Sequence, residues 1–271
     1  MRERLYEGPN ENAETLEVSG VRIGAGARAL KTSLVRGLRA AKCWRLYRKY
    51  RNFTLAPFGV FFRNMVVVDR VRHVQGCVVE CGVWRGGMSA GMAEILGPDR
   101  SYFLFDSFEG LPPASDLDGE AARRWQADTS SEAYYDNCRA EVAFAETAMR
   151  LSGVPNYSLV KGWFEDTLPG FAPPCRIAVL RLDGDWYEST LTALESLYPH
   201  LAQDGIVIVD DYYAWDGCSR AIHDFLSRHR LTARLTQRLG ICVIEPRGEP
   251  VAFSPAGGPR AADRRDPGEP R

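Results

Sequence analysis

The chain has 271 residues, 45% hydrophobic and 25% charged, with a formal net charge of −1. This is enough chain for one large α/β domain with embellishments, and the charge balance gives no global case for a nucleic-acid partner. No apolar run approaches the ~20 residues of a membrane span, and the amino-terminal MRERLYEGPNENAETLE lacks the apolar core of a secretory signal, so a cytoplasmic protein without a membrane partner is expected.

Residues 1–20 are polar and read as a loose arm. Residues 18–68 hold eleven Lys or Arg and no acid. A helix is predicted over 28–47, with Leu30, Leu34, Leu38 and Ala41 on one face. It reads as a basic cover over one end of the domain, or as a surface that attracts an anionic substrate such as a diphosphate. The organisation expected is an arm and cover over 1–56, a main domain over 57–246, and a disordered Pro-, Gly- and Arg-rich tail over 247–271.

From Gly76 onward strands and helices alternate. Predicted strands are Cys77–Cys81, Tyr102–Asp106, Tyr157–Lys161, Ile177–Leu182 and 206–209, with a closing hairpin from 233–239 and 242–245. Predicted helices cover 86–96, 132–149, 163–168, 189–201 and 217–230, and residues 107–129 read as a long polar loop. Such alternation means a doubly wound, mostly parallel sheet. The seven cysteines are scattered. Cys77 and Cys81 lie about 13 Å apart on one strand at roughly 3.3 Å per residue, too far to bond to each other or share a metal, so reduced thiols are expected.

The first strand runs into Glu80-x-Gly82-x-x-x-Gly86 and opens a helix, the place where a doubly wound sheet accepts a nucleotide-like ligand. Its spacing resembles the first motif of S-adenosylmethionine-dependent methyltransferases. Asp106 ends the second strand, 26 residues after Glu80, where an acid accepts hydrogen bonds from ribose hydroxyls. Trp84, Phe108 and Trp163 lie near strand ends as candidate flanks for an adenine. Arg85 and Arg181 are candidates for a cofactor carboxylate or for pairing with nearby acids.

The fourth and fifth strands end in Asp183-Gly184-Asp185 and Asp210-Asp211. On an extended backbone residues two apart point the same way, so Asp183 and Asp185 are expected to project together. Four carboxylates at two strand ends repel unless a cation neutralises them. Oxygen donors without His or Cys suit a hard ion such as Mg²⁺, whereas helix capping alone would explain one such acid rather than four. Tyr212, Tyr213 and Trp215 follow as candidate walls of a sugar-sized pocket, and His223 is a candidate for assisting proton transfer or for plain packing.

The segments ECGVWRGG (80–87), FDSFEGLP (105–112), GWFEDTLP (162–169), RLDGDWYEST (181–190) and VDDYYAWDGCSRAI (209–222) together resemble the macrocin O-methyltransferase (TylF-type) family of metal-dependent sugar methyltransferases. The resemblance implies a seven-stranded Rossmann-like class I methyltransferase sheet with an N-terminal helical extension, and S-adenosylmethionine and Mg²⁺ as cofactors. It implies Asp183, Asp210 and Asp211 as metal ligands, Asp185 as general base, and Glu80, Gly82, Ser89, Asp106 and Ser107 as cofactor-binding residues. It also implies a homo-oligomer acting on a small glycosylated acceptor. A phenolic or nucleotide-linked acceptor is the alternative substrate, and a non-catalytic cofactor-binding module is the alternative function.

Overall fold

The computed structural model describes the backbone of residues 25–246 and the side chains of 37–246, so the expected arm and tail lie outside the described residues. The chain divides into two compact units, Met1–Lys42 and Cys43–Arg271. Helix α1 (Ala25–Tyr50) therefore gives its last turns to the second unit, where α2 (Phe58–Arg70) follows. Then come β1 (Cys77–Cys81), α3 (Gly87–Leu96), β2 (Tyr102–Asp106), α4 (Gly119–Ala127), α5 (Val142–Ser152) and β3 (Tyr157–Lys161). The chain ends with α6 (Phe164–Thr167), β4 (Ile177–Leu182), α7 (Tyr187–Leu197), β5 (Leu201–Val209), α8 (Asp216–Arg228), β6 (Ala233–Arg238) and β7 (Ile241–Pro246).

The seven strands form one sheet in the order β3-β2-β1-β4-β5-β7-β6. The first five are parallel and β7 is antiparallel to both β5 and β6. Both faces are covered, so strand residues alternate between two cores. Val78, Leu104, Val179 and Ile208 join the core under α2, α3 and α5. Val79, Leu180, Leu182 and Val207 join the core under α7 and α8. Chain order reverses between β1 and β4, and at such a switch point the carboxyl ends of the strands leave a crevice.

Two expectations for the segment between β2 and β3 fail. Residues 107–129 are not all loop. Ser115 and Asp118 form a capping box, which the sequence spells as Ser-x-x-Asp, and α4 follows directly. The helix expected over 132–149 is broken, because Tyr135, Asp136, Asn137 and Cys138 all take left-handed φ of 50–60°. A run of L-residues there is costly, and tertiary hydrogen bonds offset it. The Leu111 N–H donates to the Asn137 carbonyl, Asn137 Nδ2 donates to the Leu111 carbonyl, and Gln126 Nε2 donates to Asn137 Oδ1. Only a glycine at 110 admits this approach, since a Cβ there would lie 2.5 Å from the Asn137 carbonyl oxygen. All seven cysteines are free thiols, and no helix among the described residues is long and apolar enough to cross a membrane.

β1 leaves the sheet at Gly82, where φ is +90° and an added Cβ would lie 1.8 Å from the Asp183 carbonyl oxygen. Gly82→Ala is expected to lose more than the ~1–3 kcal/mol of backbone strain alone, measured by urea denaturation. A midpoint equal to that of the parent chain would mean that the ends of β1 and β4 part freely.

Candidate active site

The hydrogen-bond ladder continues past the strand ends. Gly82 N–H donates to the Phe105 carbonyl, Asp183 N–H to that of Cys81, and Asp210 N–H to that of Leu182. The residues after β2, β1, β4 and β5 are thus fixed side by side along one rim. They border a cavity of about 360 Å³.

On the β1–β2 side, the Asp106 carboxylate holds the glycine turn. Its Oδ2 accepts from the backbone N–H groups of Val83 (2.6 Å) and Trp84 (2.7 Å), and its Oδ1 accepts from that of Phe108 (2.6 Å). Burial raises its pKa and these three donors pull the other way. Asp106 therefore shapes the turn, a task the sequence reading did not give it. Gly82, Trp84, Ser107 and Trp163 line the cavity with it. The Trp84 indole N–H is buried without a partner, an open donor of the kind a bound cofactor satisfies. Arg85 lies over the Trp84 and Phe144 rings.

Glu80 and Ser89 sit behind this surface. Glu80 is 1% exposed and accepts from the Ser89 hydroxyl and, at 2.8 Å, from Arg181 Nη1. Burial pushes its pKa up to about 7 against the pull of Arg181. Glu80 and Arg181 are register partners on β1 and β4, so this is a buried cross-strand ion pair. The Arg181 guanidinium also reaches Asp183 Oδ2 (2.7 Å) and Asp210 Oδ1 (2.6 Å). Of the two roles the sequence left open for Arg181, a cofactor carboxylate or pairing with nearby acids, the structure shows the pairing and makes it the counter-ion of the site.

Carboxylate oxygens of Asp183, Asp210 and Asp211 lie within 4.8 Å of one another. Their donor chemistry fits a hard divalent cation completed by water. Asp185 is outside this group. β4 has ended at Leu182, and Asp185 has a left-handed φ of 57°, so it reaches the rim through a turn rather than by strand alternation. Its backbone N–H donates to Asp211 Oδ2 at 3.3 Å and its Oδ1 accepts from Trp215 Nε1 at 2.8 Å.

Burial raises the pKa of Asp183, Asp185 and Asp211. Asp183 rises to about 6, held back by Arg181, while Asp185 rises to about 8 with Asp183 beside it. Asp211 is pushed well above the usual range by burial and by Asp185. A divalent cation would reverse these shifts.

Among the other candidates, Trp215 lines the cavity and Tyr212, Tyr213 and His223 do not. His223 shares a hydrogen bond of 3.0 Å with the Tyr212 hydroxyl. The sequence reading missed Trp125, which lines the cavity from α4. It also missed Asp118, whose Oδ1 accepts from the Tyr187 N–H at 2.7 Å and so ties α4 to the start of α7.

The family model described as macrocin O-methyltransferase (TylF) matches residues 62–244. The chain belongs to the macrocin O-methyltransferase (TylF) family. It is 39% identical over 197 residues to the 8-demethyl-8-(2,3-dimethoxy-alpha-L-rhamnosyl)-tetracenomycin-C 4'-O-methyltransferase of Streptomyces olivaceus, covering 64% of this chain and 71% of that one. It is 37% identical over 195 residues to the demethyldecarbamoylnovobiocin O-methyltransferase of Streptomyces niveus, with the same coverage. The solved O-methyltransferase NovP superposes with a TM-score of 0.57 at 30% identity, over 68% of this chain and 80% of that one. The fold is that of the S-adenosylmethionine-dependent O-methyltransferases.

Two outcomes are expected. Arg181→Met leaves three buried or half-buried carboxylates without their counter-ion, and should lower unfolding free energy by about 3–5 kcal/mol in urea denaturation. The second concerns pH. The folded values of Asp183 and Asp185 lie above the ~3.9 of an unfolded Asp, so the native state holds the extra protons. Metal-free stability is then lost as pH rises through about 6 to 8. Thermal unfolding in EDTA should give a higher midpoint at pH 6 than at pH 8, and millimolar Mg²⁺ should raise the midpoint more at pH 8, where the ligands are ionised.

Proposed function

We propose that the protein transfers the methyl group of S-adenosylmethionine to a sugar hydroxyl of a glycosylated natural product. In this reading Asp183, Asp210 and Asp211 hold Mg²⁺ and Asp185 accepts the hydroxyl proton. The observation that carries it is the separation of the four acids: three converge as a ligand set, and the fourth stands beside them on its own turn, held by Trp215.

When bound, the cofactor supplies an electrophilic methyl and the cation supplies positive charge at the hydroxyl oxygen. The chain supplies the rest. Arg181 holds one oxygen each of Asp183 and Asp210, so these ligands need little reorganisation. Asp106 fixes the turn from Gly82 to Trp84, and the Trp84 and Trp163 side chains line the cavity beside it as candidate flanks for the adenine. Asp185 stands beside the ligand set with its Oδ1 held by Trp215, a position from which its carboxylate can take the hydroxyl proton. Holding the reactants in line contributes much of the acceleration.

The charge of the cavity supports an acceptor attached to a neutral aglycone. Among the described residues, its charged lining is Asp106, Glu165, Asp183, Asp185, Asp210 and Arg181. Arg181 is already shared among three acids, which leaves no unpaired cationic side chain among the described lining residues for the diphosphate of a nucleotide-linked sugar. Homologous activities on a rhamnosylated tetracenomycin and on a novobiocin precursor point the same way.

Radiolabelled methyl transfer to 8-demethyl-8-(2,3-dimethoxy-α-L-rhamnosyl)-tetracenomycin C and to free nucleotide-linked rhamnose tests the reading. Methylation of the glycoside alone supports it, and methylation of the nucleotide sugar alone defeats it. Asp185→Asn should cut turnover by about 10²–10⁴, the usual worth of a positioned base, with S-adenosylhomocysteine affinity unchanged by calorimetry. Asp210→Ala should instead raise the Mg²⁺ concentration needed for half-maximal rate.

A further inference from the structure

Asp185 stands where nothing in the sheet can orient it. β4 ends at Leu182, and Asp185 lies on left-handed backbone three residues later. Its backbone N–H is directed to Asp211, and this leaves the side-chain torsions free. A base with a wandering carboxylate presents the wrong oxygen for much of the time, and small misplacements at a reacting centre are expensive in rate.

One side-chain donor settles the orientation. Trp215 Nε1–H donates to Asp185 Oδ1 at 2.8 Å. Trp215 is itself placed by the turn that follows the metal-ligand strand, since its backbone N–H donates to the Asp211 carbonyl at 3.0 Å. Its ring packs on two further indoles, with centroids 5.3 Å from Trp186 at 69° and 5.9 Å from Trp125 at 60°. Each neighbour is anchored by its own N–H: Trp186 donates to the Pro112 carbonyl and Trp125 to that of Ala133, both at 2.9 Å. Three indoles thus form a braced wall whose single N–H not spent on backbone goes to Asp185.

We propose that Trp215 is a positioning residue for proton transfer at Asp185. Its N–H occupies Oδ1 and so presents Oδ2 to the acceptor hydroxyl. The hydroxyl O–H bond would break with the proton going to Oδ2 and the electron pair staying on oxygen. That oxygen would bond the methyl group as the S–CH₃ bond breaks, its electron pair remaining on sulfur and S-adenosylhomocysteine leaving. This rests on the reading of Asp185 as the base. Trp125 and Trp186 act one step further out, by holding the indole of Trp215.

Trp215→Phe keeps an aromatic ring and removes only the donor. With the rhamnosyl tetracenomycin above as acceptor, kcat is expected to fall about 10–100-fold, the worth of one hydrogen bond to a charged group. Acceptor KM, S-adenosylhomocysteine affinity and thermal midpoint should each stay near those of the parent chain. In an Asp185→Asn background the same substitution should add no further loss, because the two residues act as a unit. A kcat within twofold of the parent, or a loss that adds fully to that of Asp185→Asn, overturns the proposal. If Asp185→Asn itself remains active, the base assignment falls and the proposal with it. A dead Asp185→Asn beside a fully active Trp215→Phe defeats the proposal alone. A measurement without acceptor stands behind these. The indole ¹⁵N–¹H resonance that vanishes in Trp215→Phe should move clearly in Asp185→Ala, and an unmoved resonance overturns the contact.

Discussion

One guanidinium makes the rest of the site possible. Arg181 is 1% exposed, and its nitrogens meet Glu80 on β1, Asp183 at the end of β4 and Asp210 at the end of β5. Burying a lone cation in a sheet would be prohibitive, as would crowding these acids without one. Each tolerates the other, and together they fix the spacing of three strand ends. Asn64, fully buried on α2, closes the cluster with its Oδ1 at 3.5 Å from Arg181 Nε. A buried ion pair of this kind is weak evidence for stability. Its use here is geometric, because the carboxylates of Asp183 and Asp210 are held in place by the chain's own cation. Arg181 still offsets only part of the negative charge. Asp185 and Asp211 have no ion pair with Arg181, and burial together with the neighbouring acids raises the pKa of both; a divalent cation would favour their ionised forms.

The strands were legible because their signal is local. Short β-branched runs such as Cys77–Cys81 and Ile177–Leu182 end in Gly or Asp, and both facts need only neighbours in sequence. The parallel sheet followed from alternation with helices, and the meeting of β1, β4 and β5 from the resemblance to methyltransferases. What escaped the sequence was non-local. The helical pattern over 132–149 is genuine as far as spacing goes, yet Asn137 gains more by bridging to Leu111 and Gln126 than the helix gains by continuing. The capping box at Ser115 was readable and overlooked. Pairing of Arg181 with nearby acids was one of the two roles the sequence offered, but two of its three carboxylate partners, Glu80 on β1 and Asp210 at the end of β5, belong to other strands and could not be named from local pattern.

The roles of individual acids divide in the same way. The family resemblance implied Glu80 at the cofactor, and the register of β1 against β4 sets it beside Arg181. Asp106 was placed on the ribose, and three backbone donors show that its first task is to hold the turn. Asp106 still lines the cavity from that position, while Glu80 lies behind it, paired with Arg181 and Ser89. A motif records which residues a site requires without recording at what depth each acts.

Asp183 and Asp185 show why that depth matters for chemistry. Had the strand continued, both carboxylates would have faced the same way and competed for the same cation. A left-handed turn separates them, at the strain of one non-glycine residue with φ of 57°. Asp183 stays in the ladder beside Arg181, where charge is already partly balanced. Asp185 moves out to the indole wall, where burial and neighbouring acids keep it basic. An acid that binds metal must give up its proton readily, and an acid that serves as base must hold one when it comes. Two residues apart in sequence, the same side chain meets two different surroundings because the backbone between them leaves the sheet.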